Sequence, residues 1–283
     1  MKKLVVFTDL DGTLLGHRTY SFEPALPALR LLKERGIPLV ICSSKTRREI
    51  EEYQCRLQSF HPFITENGGG IFIPAGYFDF RIEGAETHRE GRYLMIRLGA
   101  RYTDLRGAMS DLRRMGFKVK GFGDMSVDEV VRLTSLSQAE AQMALERDFD
   151  EPFVVEEGEE DIERLTDAVV SMGFHVTRGR FFHILGESDK GKAMTILTGF
   201  YRRKFGDVLT VALGDSPNDL PMLREADIPV AVMRPEGDYD SRLSLPHLVR
   251  APGVGPEGWN AEVIRIVEAV AEGDTGDTGS VLE

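Results

Sequence analysis

Two acid-rich segments, Asp9-Leu10-Asp11-Gly12-Thr13 and Gly214-Asp215-Ser216-Pro217-Asn218-Asp219, are the residues of this sequence best suited to do chemistry. Each follows a short apolar run, Leu4-Val5-Val6-Phe7-Thr8 and Val208-Leu209-Thr210-Val211-Ala212-Leu213. Side chains two apart on an extended strand point the same way, so Asp9 and Asp11 are expected to share a face with Leu10 packed opposite. Two carboxylates at one point repel unless a cation or proton lies between them. Hard oxygen donors favour Mg²⁺, and Asp215 with Asp219 would complete the cage from a neighbouring strand. Asp and Gly also make ordinary turns after strands. That accounts for an isolated Asp-Gly pair, not for two acid clusters with the same placement.

The elements that must position these residues follow from the pattern. Both apolar runs read as central parallel strands, and their C-terminal edge is where open α/β sheets bind ligands. A helix is expected over 23–35, stopped at Gly36. Strand two, 37–42, runs into Ser43-Ser44-Lys45, and Thr46 opens a charged helix to about 57. A third strand, 63–65, ends at Glu66-Asn67-Gly68, with 69–74 as a hairpin return. This β-α-β-α-β start implies a parallel sheet. Between 84 and 186 the texture changes: strand runs at 93–98, 153–156, 174–177 and 181–185 alternate with amphipathic helices at 103–115, 127–133, 138–147 and 161–172. The doubly wound pattern then resumes, with helices at 190–204, 220–225 and 261–271 and strands at 208–213 and 228–232. The predicted fold class is therefore α/β: a doubly wound parallel sheet (1–83 and 187–272) carrying an inserted α+β domain (84–186). The tail, 273–283, is Gly, Asp, Thr and Ser-rich and is expected to be disordered.

Composition narrows the function classes. With 283 residues, 42% of them hydrophobic, the chain can bury a sizeable core. No run approaches about 18 consecutive apolar residues, and Met1-Lys2-Lys3 leads directly into the first strand, so no membrane partner and a cytoplasmic location are expected. Two cysteines, Cys42 and Cys55, are too few for a disulfide framework and read as reduced thiols. A net charge of -11 argues against a nucleic-acid partner, which needs a basic face to displace counterions. An anionic substrate would need local positive charge or a metal. Nothing in the sequence sets the oligomeric state.

With Ser43 after strand two and Lys190 before a helix, the acid clusters resemble the four ordered motifs of the haloacid dehalogenase superfamily of phosphatases. An insertion between the second and third motifs resembles the C2-type cap of its sugar-phosphate phosphatases, and the core is then Rossmann-like in the manner of that superfamily. Three segments are similar to the mannosyl-3-phosphoglycerate phosphatase family: Ser43-Ser44-Lys45-Thr46-Arg47, Ala144-Leu145-Glu146-Arg147-Asp148-Phe149-Asp150-Glu151-Pro152-Phe153, and Gly179-Arg180-Phe181-Phe182-His183.

The resemblance implies roles that fit the chemistry. Asp9 is at the nucleophile position and would form an aspartyl phosphate that water then hydrolyses. Asp11 would protonate the leaving oxygen, then take a proton from the attacking water. Mg²⁺ would be held by Asp9, the backbone carbonyl of Asp11, and Asp215, with Asp219 and Asn218 orienting metal-bound water or Lys190. Ser43 would donate to a phosphoryl oxygen and Lys190 would balance charge. For a small phosphorylated sugar carrying a phosphate, a carboxylate and hydroxyls, the substrate contacts would come from Ser44, Lys45, Asn67, Arg180 and His183, with Arg47 and Arg178 behind them. Arg147 and Glu151, four apart, read as a helix-end ion pair, and Trp259 as packing.

The implied reaction is Mg²⁺-dependent hydrolysis of mannosyl-3-phosphoglycerate. Rival substrates are glucosyl-3-phosphoglycerate, sucrose phosphate and hexose phosphates, and a phosphomutase would use the same intermediate. A phosphorelay receiver-like switch and a binding protein without activity are alternatives of another class. Chain length and the insertion weigh against the receiver, whose accepting Asp would follow the third strand, where Glu66-Asn67-Gly68 stands here.

Overall fold

The computed structural model describes residues 2–82, 87–155 and 162–272. The expected domain boundary at 84, the strand end at 156, the helix start at 161 and the tail from 273 lie outside the described residues. The chain forms two compact units. Among the described residues, the first comprises 2–43, 76–81 and 194–272, and the second 44–75, 82, 87–155 and 162–193. Residues 44–75, expected with the parallel sheet, group with the inserted stretch.

In the first unit, with elements numbered in chain order, β1 (Lys3–Thr8), β2 (Leu39–Ile41), β11 (Val208–Gly214), β12 (Ile228–Met233) and β13 (Val249–Val254) form a sheet of order β13-β12-β11-β1-β2. Every neighbouring pair is parallel. Val5, Phe7, Val211 and Leu213 are fully buried, as near-continuous apolar strands in a parallel sheet should be. Helices α1 (Leu26–Glu34), α8 (Leu220–Glu225) and α9 (Pro256–Glu272) belong here, with α1 packed on α9. Helix α7 (Lys190–Phe205) starts in the second unit and belongs to the first from Met194. The register does the positioning. Thr8 lies opposite both Leu213 and Ile41, so Asp9, Asp215 and Ser43 all emerge at one sheet edge.

The second unit holds two antiparallel sheets. One has the order β3-β4-β6-β5, from β3 (Phe63–Thr65), β4 (Gly70–Pro74), β5 (Thr87–Glu90) and β6 (Tyr93–Arg97). The other has the order β7-β8-β10-β9, from β7 (Val119–Gly121), β8 (Asp150–Val155), β9 (His175–Arg178) and β10 (Phe182–Leu185). Its helices are α2 (Arg47–Leu57), α3 (Tyr102–Arg114), α4 (Val127–Thr134), α5 (Gln138–Ala144) and α6 (Ile162–Ser171). Leu105, Met109 and Leu112 of α3 and Leu165 and Val169 of α6 bury against Val119, Phe153 and Ile184 of the second sheet.

The third strand corrects the expected parallel start, because β3 pairs antiparallel with β4 and takes no place in the parallel sheet. The reason is the turn between them. Glu66, Asn67 and Gly68 have φ of 49°, 55° and 92°, three left-handed residues in succession that reverse the chain at once, where a parallel neighbour needs a long crossover. The fifth parallel strand is instead β13, a sheet-edge strand carrying Pro252, which an edge tolerates and a central strand does not.

Candidate active site

The end of β1 and the end of β11 build an acid cluster in the first unit. Oxygens from Asp9, Asp215 and Asp219 lie within 4.8 Å of one another, and all three residues are buried. Asp9 is fixed to the neighbouring strand by its N–H, which donates to the Leu213 carbonyl at 3.0 Å. One oxygen of Asp219 accepts from the backbone N–H groups of Asp215 and Ser216, both at 3.1 Å, so this carboxylate shapes the turn that presents Asp215. Thr13 donates its hydroxyl to Asp215 at 3.3 Å. Two glycines make room. A Cβ on Gly12, whose φ is +82°, would lie 2.6 Å from an Asp215 oxygen, and one on Gly214 would lie 2.4 Å from Asp219 Cβ.

Three like charges so close repel by about 3 to 4 kcal/mol per pair at an effective dielectric of about 20. The donors are all hard oxygens, buried and convergent. This set fits a small hard divalent cation such as Mg²⁺. Asp11 is not one of the group. β1 ends at Thr8, and the N–H groups of Thr13 and Leu15 both return to the Leu10 carbonyl, so 10–15 is a tight loop in which strand alternation does not set the direction of Asp11. Asp11 is half-buried at the rim of that loop.

The second unit contains a different arrangement, a buried charge network. Asp150 and Glu66 are both fully buried, with the Arg147 guanidinium between them: it pairs with Asp150 and lies 3.5 Å from Glu66. Asn67 Nδ2 donates to Asp150 Oδ2 at 2.8 Å, and His183 Nδ1 lies 3.0 Å from the same oxygen. Burial, followed by the nearby Arg147 and Lys190 cations, pushes the His183 pKa down to about 3. The ring is therefore neutral, and the carboxylate assigns the proton to Nδ1, which leaves Nε2 as an acceptor. Glu66 receives the backbone N–H groups of Asp148, Phe149 and Asp150 at 2.8 to 3.1 Å. Burial outweighs Arg147 and these donors and pushes Glu66 up to about 7.

Comparison with known proteins identifies the chain. A family model for haloacid dehalogenase-like hydrolases matches residues 6–77. A glucosyl-3-phosphoglycerate/mannosyl-3-phosphoglycerate phosphatase of Methanococcoides burtonii is 46% identical over 94% of this chain and 97% of its own. The chain belongs to the haloacid dehalogenase superfamily. A phosphatase of the same name from Persephonella marina is 45% identical over 95% of this chain and 99% of its own, and the mannosyl-3-phosphoglycerate phosphatase of Pyrococcus horikoshii is 38% identical over 79% and 88%. Among solved structures, a Thermoplasma acidophilum protein superposes with a TM-score of 0.68 at 15% identity, covering 95% of this chain and 99% of its own. A subclass IIB sugar phosphatase of the superfamily gives 0.63 at 18% over 95% and 99%. This haloacid dehalogenase superfamily member is a phosphatase, and the resemblance read from its four motifs holds. No helix among the described residues is long and apolar enough to cross a membrane.

Within this phosphatase, the residues expected at the site fall into distinct settings. Asp9, Asp215 and Asp219 come together. Ser43 is fully buried at the same sheet edge, and Asn218 is buried with its carbonyl accepting from the Ser216 hydroxyl at 2.6 Å. In the second unit, Asn67 and His183 meet at Asp150, and the Ser44 carbonyl accepts from Arg147 at 2.9 Å. Lys190 is buried at the start of α7. The Gly68 turn packs so closely there that a Cβ would lie 2.1 Å from the Asp189 carbonyl oxygen. Lys45 is buried and paired with Glu49 at 3.3 Å. Arg180 stands elsewhere: its guanidinium donates to the Leu133 and Thr134 carbonyls at 2.9 and 3.0 Å, closing the C-terminus of α4. Arg47 lies 3.7 Å from Glu90, and Arg178 is stacked 4.6 Å from the Phe182 ring centroid.

The expected Arg147–Glu151 pair does not form. Helix α5 ends at Ala144, and from Asp150 the chain is a strand, so Asp150 and Glu151 face opposite sides. Glu151 instead takes Arg106 at 2.6 Å and the Tyr102 hydroxyl at 2.7 Å. Asp150, which gathers Asn67 and His183, and Thr13, which donates to Asp215, carry no expected role in the sequence. A buried-looking Glu-Asn-Gly after a strand was the available signal for Glu66.

Proposed function

We propose that this phosphatase hydrolyses the phosphate monoester of glucosyl-3-phosphoglycerate or mannosyl-3-phosphoglycerate, in a Mg²⁺-dependent reaction through an aspartyl phosphate. The observation that carries the chemistry is the convergence of buried Asp9, Asp215 and Asp219 at the C-terminal edge of the parallel sheet. Relatives named for these two substrates, 45 and 46% identical over nearly the whole chain, support the substrate class.

Asp9 attacks phosphorus, forming a carboxyl oxygen–phosphorus bond as the ester oxygen departs. Asp11, at the rim of the loop, gives its proton to that oxygen and then accepts one from the water that cleaves the aspartyl phosphate, which restores both carboxyl groups. Asp9 and Asp215 would hold the cation with the Asp11 carbonyl, and Asp219 keeps the Asp215 turn in place through its backbone bonds. When bound, Mg²⁺ supplies positive charge that offsets the repulsion between the Asp9 carboxylate and an anionic phosphoryl group. Ser43 is suited to donate to a phosphoryl oxygen, and the motif order assigns Lys190 the charge-balancing role. Asn67 and neutral His183, both anchored on Asp150, offer amide and imidazole groups of the kind that read sugar hydroxyls.

Phosphate release should require Mg²⁺ and stop with EDTA, run faster on the two glycosyl-3-phosphoglycerates than on hexose phosphates or sucrose phosphate, and fall about 10³-fold or more in Asp9→Asn. Undiminished turnover by Asp9→Asn would sink the mechanism. Equal rates across all these esters would sink the substrate assignment alone.

A further inference from the structure

The backbone of Asp9 is held at both its N–H and its carbonyl, and the hold on the carbonyl comes from its neighbour Thr8 and, through Thr8, from Trp259, far from the catalytic motifs in the chain. Trp259, in the first turn of α9, is fully buried, and its indole N–H donates to Thr8 Oγ1 at 2.9 Å. Thr8 is equally buried, and its Oγ1 lies 2.7 Å from the carbonyl oxygen of Asp9. An indole nitrogen can only donate, so the Thr8 oxygen must accept there and its own hydrogen must go elsewhere. The acceptor in reach is the Asp9 carbonyl. Direction is thus imposed along the whole chain of bonds, from Trp259 through Thr8 to Asp9. The N–H of Asp9 is tied separately to Leu213.

We infer that Thr8 and Trp259 are positioning residues for the nucleophile: together they fix the orientation of the peptide that carries Asp9, and with it the point from which the carboxylate reaches phosphorus. The inference rests on the proposed role of Asp9. Burying a hydroxyl and an indole N–H costs free energy unless both are satisfied, and apolar residues would fill this space without that requirement. A pair spent on one carbonyl next to the reacting side chain serves orientation, where a small displacement is expensive in rate. It also gives the last helix a part in the reaction. Trp259 lies beyond residues 6–77, the stretch matched by the hydrolase family model, and its partner is 251 residues away in the chain.

The test uses full-length Thr8→Val, Thr8→Ser, Trp259→Phe, the Thr8→Val/Trp259→Phe double variant and Asp9→Asn, assayed for phosphate release from mannosyl-3-phosphoglycerate with Mg²⁺ and for thermal unfolding. Thr8→Val and Trp259→Phe should each lower kcat about tenfold with KM unchanged. Thr8→Ser, which keeps the hydroxyl, should restore kcat to within about twofold, and the double variant should fall no further than the worse single one, because one chain of bonds is broken once. A Thr8→Val enzyme with the parent's kcat while Asp9→Asn is dead overturns the inference and leaves the proposed function standing. So do losses that multiply in the double variant, or a Thr8→Ser enzyme as slow as Thr8→Val. Should Thr8→Val not fold, Trp259→Phe and Thr8→Ser decide by the same criteria. Full turnover by Asp9→Asn overturns both readings.

Discussion

Glu66 and His183 are both pushed toward their neutral forms by burial, and the consequences for stability run in opposite directions with pH. Glu66 rises from 4.5 to about 7, so the folded state holds the proton more tightly than the unfolded chain. Its contribution is fully present below about pH 4.5 and is lost as pH rises through about 7, a change of about 3 kcal/mol. His183 falls from 6.5 to about 3, so its contribution is present above about pH 6.5 and is lost as pH falls toward 3. Glu66→Gln keeps a carbonyl for the N–H groups of 148–150 but removes the titration. Urea unfolding from pH 4.5 to 7 should show the parent losing stability relative to the variant as pH rises, and parallel profiles would exclude Glu66 as the source. Asn67 and His183 of this network were legible as site candidates, but their meeting at Asp150 and the bonds of Glu66 were not. Glu66 meets its backbone partners across 82 to 84 residues, a distance at which no local pattern operates. Asp9 and Asp215 were legible because strand ends position them, whereas Asp11 stands in a loop past the end of β1, where strand alternation gives no guide.

Elements whose signals are local were readable, and α2 is the clearest of them. Thr46 accepts the Glu49 N–H at 3.2 Å while Glu49 accepts the Thr46 N–H at 2.9 Å, a reciprocal cap written in the sequence as Thr-x-x-Glu. The same pattern opens α4 at Ser126 and α5 at Ser137. Thr46 has a second partner, since its hydroxyl donates to the Met143 carbonyl at 2.9 Å. Thr46→Ala should therefore cost about 1 to 2 kcal/mol in chemical denaturation, while Thr46→Ser should recover most of it. A loss in Thr46→Ser equal to that in Thr46→Ala would count against the hydroxyl. Elements defined by distant partners were harder to read. The polar β5, three-residue β7 and Pro-bearing β13 become strands because neighbours supply the hydrogen-bonding edge. Helix α9 begins at Pro256, five residues ahead of the predicted 261, where proline's fixed φ suits a first helical position.

At the scale of the molecule, the acid cluster exists only when the chain is folded, because Thr13 and Asp215, in contact there, are 202 residues apart. A cation bound by it is therefore linked to global stability, whereas an unfolded chain offers the same carboxylates without convergence. On a chain of net charge -11, three buried carboxylates within 4.8 Å also load the metal-free fold with repulsion. These two terms make opposite predictions for one substitution. Asp215→Asn removes a charge and so should raise the unfolding midpoint in EDTA, yet it removes a metal donor and so should lose the rise that Mg²⁺ gives the parent. For the parent, Mg²⁺ at about 100 times its dissociation constant should add about 2.7 kcal/mol. Calorimetric scans of both proteins, with EDTA and with Mg²⁺, separate the outcomes. A parent midpoint indifferent to Mg²⁺, or an Asp215→Asn protein that keeps the full Mg²⁺ response, would mean that the cluster is held by hydrogen bonds and protons and is no cation site. The crossing of the two effects, higher without metal and lower with it, is the signature of carboxylates brought together by the fold at the expense of its own stability.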